Sequence, residues 1–439
     1  MSLQRRLASQ SSIIFAARIG GSGLVFLTQA LIARFWGAEL LGEFLLVTAT
    51  VNLIAVVMPL GFHTVGAYFA ADYRARGEKR QLSQFMIRAY GHVLGTFALL
   101  VVAGYPLLTL FGQTGSALGQ HFAPLAVLAL STGLVHVNGS VLIGLKRPLD
   151  GYFADAIFRP MVVLVAFLIA LSVMVPLAAF DRMLWLMACG YIAVSLGHFG
   201  FVMMTLKTVP DTAAPRAEDV RRWWRFALPW VLISLATDFF FDIDLLLLSH
   251  SLPKQELAIF GVCTRIFSLV SFGVAAVYAV TLPDIFESEA NADRAAFHRK
   301  IGDANVVASG LAVLLFAGMA VVGPFALMLF GPSFSAGALP LVILCLALVV
   351  RAIMGPASVV LSMHDRPYAS LPAVGLGVVA LMLLNWLLVP TMGLLGAAMA
   401  ATLAITLWSV ALWWTALRTA KLDVSIMQRF RRVAVVKAA

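Results

Sequence analysis

Apolar runs of about twenty residues recur from one end of this 439-residue chain to the other. Wound as a helix, a run of that length crosses roughly 30 Å of hydrocarbon. In lipid a backbone must satisfy its own N–H and C=O groups, which a helix does within one segment. The runs are continuously apolar and lack the ten-residue alternation of a membrane strand, which argues against a barrel. Twelve spans are predicted, at about residues 12–35, 40–61, 84–110, 121–144, 156–177, 183–206, 223–250, 257–283, 301–330, 336–362, 368–390 and 393–416. With 61% hydrophobic and 12% charged residues, little sequence remains for a soluble domain. The expected fold class is an all-α polytopic membrane protein.

The first run is too long for a secretory hydrophobic region and no small-residue cleavage site follows it, so it is expected to stay as a signal anchor. Cys189, Cys263 and Cys345 all fall inside predicted spans without a CxxC, which indicates neither a disulfide framework nor a metal site. No cofactor is implied.

Charge sets the expected orientation, because cytoplasmic loops collect Lys and Arg. With the N-terminus inside, the inner segments hold 23 basic residues, among them Arg74, Arg76, Lys79 and Arg80, whereas the outer connections hold only Arg182 and Lys254. Both termini are then cytoplasmic, and the net charge of +10 reflects topology rather than nucleic-acid binding. The expected organisation is an N-terminal six-helix bundle (1–206), a cytoplasmic linker (207–222), a second bundle (223–417) and a basic tail (418–439). The tail reads either as an amphipathic helix on anionic lipid or as a frayed end.

The two bundles look duplicated. Leu110-Phe111-Gly112 matches Leu329-Phe330-Gly331, Arg147-Pro148 matches Arg366-Pro367, and Gly42 matches Gly261, each at an offset of 219. Six spans per copy give both copies the same topology, as in transporters built of parallel repeats.

Polar residues within the spans narrow the function. Arg18, Arg265 and Arg351 lie inside apolar runs, where an arginine near the bilayer centre costs roughly 2.5–3.5 kcal/mol on insertion scales. Three intramembrane cations point to an anionic cargo. Asp242 and Arg265 sit at one level on either side of a predicted hairpin and are expected to pair; Asp238 should lie one turn deeper on the same face as Asp242. Asp238 and Asp242 are candidates for ion coupling by H+ or Na+, and Asp238 reads equally as a counter-ion for Arg18 or Arg351. Arg18, Arg351, Arg265, His136, Asn138 and Asn385 are candidates for a substrate cavity, with interhelical hydrogen bonding the competing use of His136, Asn138 and Asn385. Trp223, Trp224 and Trp230 read as interface anchors, Arg34 and Glu43 as interfacial charges, and Gly91-xxx-Gly95 as a close helix contact.

Several stretches carry a resemblance. They are Ala258 to Pro283 (AIFGVCTRIFSLVSFGVAAVYAVTLP), the ARFWGAELLGEF turn, Leu329 to Phe334, Gly355-Pro356, Asn385 with Pro390, and Gly393 to Ala398. In this order the chain resembles polysaccharide flippases of the Wzx type, in the multidrug/oligosaccharidyl-lipid/polysaccharide exporter superfamily. The resemblance implies a MATE-like, V-shaped pair of six-helix bundles. It also implies alternating access that moves an undecaprenyl-pyrophosphate-linked oligosaccharide across a bacterial cytoplasmic membrane. The partners implied are that lipid-linked oligosaccharide, membrane lipids, H+ or Na+ as coupling ion, and a polysaccharide polymerase or assembly complex, but no nucleic acid. No covalent chemistry is required, so the protein is not expected to be an enzyme.

Three alternatives use the same facts. A MATE-type small-molecule exporter usually carries an acid in its first span, where this chain has Arg18. A peptidoglycan-precursor (lipid II) flippase matches the chemistry but typically has fourteen spans. A membrane polysaccharide polymerase or ligase needs a large outer loop with catalytic residues, and the outer connections here are about ten residues or fewer.

Overall fold

The computed structural model describes residues 3–212, 220–290, 294–363 and 367–430. Its helices, in chain order, are α1 (Leu3–Trp36), α2 (Ala38–Val57), α3 (Phe62–Arg76), α4 (Lys79–Leu110), the short α5 (Ala117–Gln120), α6 (Phe122–Gly144), α7 (Pro148–Phe153) and α8 (Arg159–Ala170), the last two joined by a π turn at Ala154–Phe158. There follow α9 (Pro176–Lys207), α10 (Val220–Asp238), α11 (Phe240–Leu248), α12 (Lys254–Ala290), α13 (Arg294–Met328), α14 (Ala338–Met354), α15 (Ala357–Met363), α16 (Leu371–Thr419) and α17 (Met427–Phe430). The described residues contain no strand, only an isolated bridge between Glu78 and Asp211. Ten helical segments are long and apolar enough to cross a bilayer, so the chain is a multi-pass membrane protein.

Ten segments are consistent with twelve spans, for two local reasons. Gly393 adopts φ 53° and ψ −131° within α16, a conformation open to glycine. On the far side of it Trp408 lies against Gly377, close enough that an added Cβ would meet its Cβ at 2.9 Å. A straight helix would hold those residues about 46 Å apart, so the chain doubles back at Gly393. The seventh expected span is interrupted at Phe239, between α10 and α11. That break separates Asp238 from Asp242, which therefore do not share one continuous helical face as expected.

The chain divides into two compact units, Met1–Leu246 and Leu247–Ala439. The division falls within α11. In the first unit α6 is central, packing on α2, α3, α4 and α9. Small residues permit the close approach: a Cβ on Gly144 would stand 2.3 Å from the Ala67 carbonyl oxygen of α3. α10 packs on α2 and α3. Trp223 is fully buried there and its indole N–H donates to the Tyr73 hydroxyl at 2.6 Å, so it is a core residue and not an interface anchor. Glu43, expected at an interface, is likewise buried, 3.9 Å from His121.

In the second unit α14 packs on α12, α13 and α16. The segment that directly follows α16 turns back onto this core. Leu422, Asp423, Val424 and Ser425 are buried, Trp413 donates to Asp423 Oδ1 at 2.9 Å, and Arg429 pairs with Asp303 at 2.8 Å. Gly112 and Gly331, one pair of repeat anchors, each follow a long helix with positive φ, at 66° and 134°. Arg366, linker residues 213–219 and the tail beyond residue 430 lie outside the described residues.

Candidate functional site

Arg351 stands in the last turn of α14, and the sequence explains why the helix stops there. Pro356 has no N–H to donate and disfavours a helical residue before it. Gly355 accordingly leaves the helix at φ 77°, ψ −178°, and its N–H donates to the Arg351 carbonyl at 3.1 Å. The carbonyl end of a helix carries partial negative charge, which favours a cation in its final turn. A bent helix at membrane depth is tolerated where the loosened backbone is buried in protein or lines a cavity, and here it does both. The Gly355 backbone lies against the Val424 carbonyl, which an added Cβ would approach to 1.9 Å. Asn305 fixes that contact by donating to the Val424 carbonyl at 2.5 Å while accepting from the Tyr278 hydroxyl at 3.0 Å.

The other side of the break faces a cavity of about 410 Å³, whose wall includes Ser271, Tyr278, Arg351, Ser358, Trp408 and Ser409. The Arg351 side chain is exposed into it, and no described residue forms an ion pair or hydrogen bond with its guanidinium. The volume lies within the roughly 300–1,000 Å³ usual for small-molecule sites.

A second polar cluster occupies the first unit, around a residue that sequence reasoning missed. Arg159 lies eleven residues into the membrane segment that begins at Pro148, about 16 Å along its axis. Pro160 has no N–H for the carbonyl of Ala156, and that carbonyl lies against Gly21 of α1, at 1.7 Å from where a Cβ would be. The resulting π turn carries Asp155, which pairs with Arg159. Arg159 also donates to Thr132 at 3.0 Å and covers the Tyr191 ring at 4.6 Å, with its side chain only 11% exposed.

The other candidates divide between these clusters and plain packing. Arg18 is exposed on α1, with its guanidinium 4.6 Å above the Tyr152 ring and its charge acting on Asp155. His136 also acts on Asp155, and its ring stacks on His63 at 5.6 Å. Asn138 does not reach a cavity: it is fully buried, accepts from Tyr90 at 2.6 Å and donates to the Ser195 carbonyl at 3.2 Å. Asn385 is buried in α16. Asp238 is exposed and accepts from Ser234 at 2.9 Å and Thr237 at 3.3 Å. Asp242 is buried and accepts from Asn52 at 3.4 Å, and Arg265 is half-buried on α12.

Solved transporters share this fold. An inward-facing multidrug resistance MATE family transporter of the MOP superfamily superposes with a TM-score of 0.75 at 16% identity, over 91% of this chain and 95% of that one. The lipid II flippase MurJ in an inward closed conformation gives 0.71 at 13% identity, over 95% and 90%. A MOP superfamily transporter from Pyrococcus furiosus, described as having a binding pocket of reverse polarity that suggests a different function, gives 0.65 at 16%, over 93% and 94%. No curated protein matches the sequence. The polysaccharide biosynthesis protein family matches residues 7–289, or 283 of 439 positions, and the chain belongs to that family.

Proposed function

We propose that this protein is a flippase that carries a polyprenyl-diphosphate-linked oligosaccharide from the cytoplasmic to the outer leaflet of a bacterial cytoplasmic membrane. Both termini are cytoplasmic, and transport proceeds by alternating access. The observation that carries this reading is Arg351: in a transporter fold of a polysaccharide biosynthesis family, a guanidinium faces a cavity with no carboxylate on it among the described residues.

The physical logic follows from the cargo. A diphosphate cannot enter hydrocarbon without a compensating charge, and a guanidinium meets phosphate oxygens with two parallel N–H donors. Arg351 offers those donors beside the hydroxyls of Ser271 and Ser409. Arg18 supplies a second exposed cation, while Arg159 is held by Asp155 and stiffens the first unit. The polyprenyl chain stays in lipid throughout, and no bond is made or broken. Asp238, exposed and hydrogen-bonded to two hydroxyls, is the proposed site of a coupling H+ or Na+.

Deletion of the gene, followed by analysis of surface polysaccharide and lipid-linked intermediates, tests the reading. It predicts loss of the surface glycan with saccharide-lipid accumulating on the cytoplasmic leaflet. Unchanged glycan and no leaflet-specific accumulation would overturn it, and arrest of peptidoglycan synthesis alone would mark a lipid II flippase instead.

A further inference from the structure

Gly91-xxx-Gly95 does not form the close helix contact its spacing suggests. An added Cβ on either glycine meets nothing within 4 Å, so the pair opens a furrow on α4. Among the candidate membrane helices of the described residues, α4 is also the least covered, with 6% of its apolar window buried. The furrow begins at a cavity of about 400 Å³ lined by Gln84, Ile87, Arg88, Gly91 and His92. Spacings of three and four residues put all five on one face of the helix.

The polar groups of this cavity suit a phosphate. Arg88 brings a guanidinium, whose carbon stands 6.0 Å above the Trp223 ring, and His92 packs its ring 5.0 Å from that of Trp224. Gln84 and His92 add an amide and an imidazole to its wall. An imidazole nitrogen and an amide that can turn either way both supply N–H donors to an oxyanion. Arg88 lies nine residues after Lys79, about 13 Å along the helix, on the cytoplasmic half under the proposed orientation. Beyond the glycines the same face continues through Leu99 and Val102, which are 65% and 74% exposed. From Arg88 to Val102 the strip runs about 21 Å.

We propose that this cavity and furrow form an entry site at which the carrier lipid docks before transport, its diphosphate on Arg88 and His92 and its single isoprenoid chain along Gly91, Gly95, Leu99 and Val102. A strip one glycine wide on a single helix fits one chain better than the paired acyl chains of a phospholipid. This inference rests on the flippase reading, because the occupant is that reading's own cargo.

Photo-crosslinking tests it with the full-length protein in phosphatidylcholine nanodiscs, using a diazirine-bearing geranylgeranyl diphosphate and mapping the labelled peptides. Label is expected on α4. Arg88→Gln should reduce it about tenfold, the size of one lost charge-assisted hydrogen bond. Gly95→Leu should do the same by filling the furrow, and it has open space for its side chain, so folding is spared. Arg351→Ala should leave the α4 label within about twofold, since that residue serves a different cavity. Unchanged α4 label in both α4 variants overturns the proposal, as does equal displacement of the probe by phosphatidylglycerol. Label around Arg351 with none on α4 overturns it while the flippase reading stands. No label anywhere, together with normal lipid-linked intermediates in the deletion strain, sinks both.

Discussion

Arg159 donates to Thr132 at 3.0 Å, and Thr132 stands 219 residues before Arg351, the offset that relates the two halves of the sequence. Each unit thus brings a guanidinium to the same repeat position, once on the residue itself and once borrowed from the π turn of a neighbouring segment. The two differ in what surrounds them. Arg159 is enclosed by Asp155, Thr132 and Tyr191, whereas Arg351 faces a cavity.

Because Arg159 uses a planar fork, with one arm on Asp155, one on Thr132 and its face on Tyr191, a lysine cannot replace it. Arg159→Lys and Arg159→Ala should both lower thermal stability in detergent, by about 1–3 kcal/mol, the cost of leaving buried polar groups unmet. Equal stability of the lysine variant and wild type would show that only charge matters there.

The Trp223 indole and Tyr73 hydroxyl meet in the buried contact between α10 and α3. Trp223→Phe and Tyr73→Phe should each cost about 1–3 kcal/mol by breaking this buried bond. The double variant should cost less than their sum, because the same bond is lost in both. Additive losses in a double-mutant cycle would mean that the bond contributes nothing.

At Gly355 the chain combines positive φ with a carbonyl 1.9 Å from the place of a Cβ. Gly355→Ala should therefore destabilise the second unit and reduce transport even though it adds one methyl group; strain of this kind is of order 1–3 kcal/mol. Truncation after Thr419 removes Val424 and tests the same contact from the other side. Normal thermal stability and transport in both variants would show that the folded-back segment does not set the α14 break.

The helical spans and the duplication could be read from the sequence because bilayer thickness and backbone hydrogen bonding leave few choices for long apolar runs. Arg351 was visible for the same reason: a charge flanked by Val350 and Ala352 has no loop to belong to. Arg159 is hidden in the sequence because Asp150 and Asp155 make the stretch after Pro148 look like a loop, which starts the fifth predicted span at 156 and leaves its arginine near the membrane edge. Local polarity outweighed a helix that runs on through a π turn. The folded-back segment after Thr419 was beyond sequence reasoning, since its anchoring depends on Asn305 of α13, 119 residues away along the chain. Gly91-xxx-Gly95 shows the converse: the same small residues that allow two helices to touch also leave a furrow when no helix is there.

Arg351 carries the central claim, and a flipping assay in proteoliposomes tests it most directly. Purified wild-type protein, Arg351→Lys and Arg351→Ala, matched for amount and for thermal stability, would be supplied with a fluorescent polyprenyl-diphosphate oligosaccharide. Its movement between leaflets would be read by protection from an impermeant quencher. The account predicts rapid flipping by wild type, a rate at least about tenfold lower for alanine, in line with losing one charge-assisted contact, and partial activity for lysine. Wild-type rates in the stable alanine variant would contradict it.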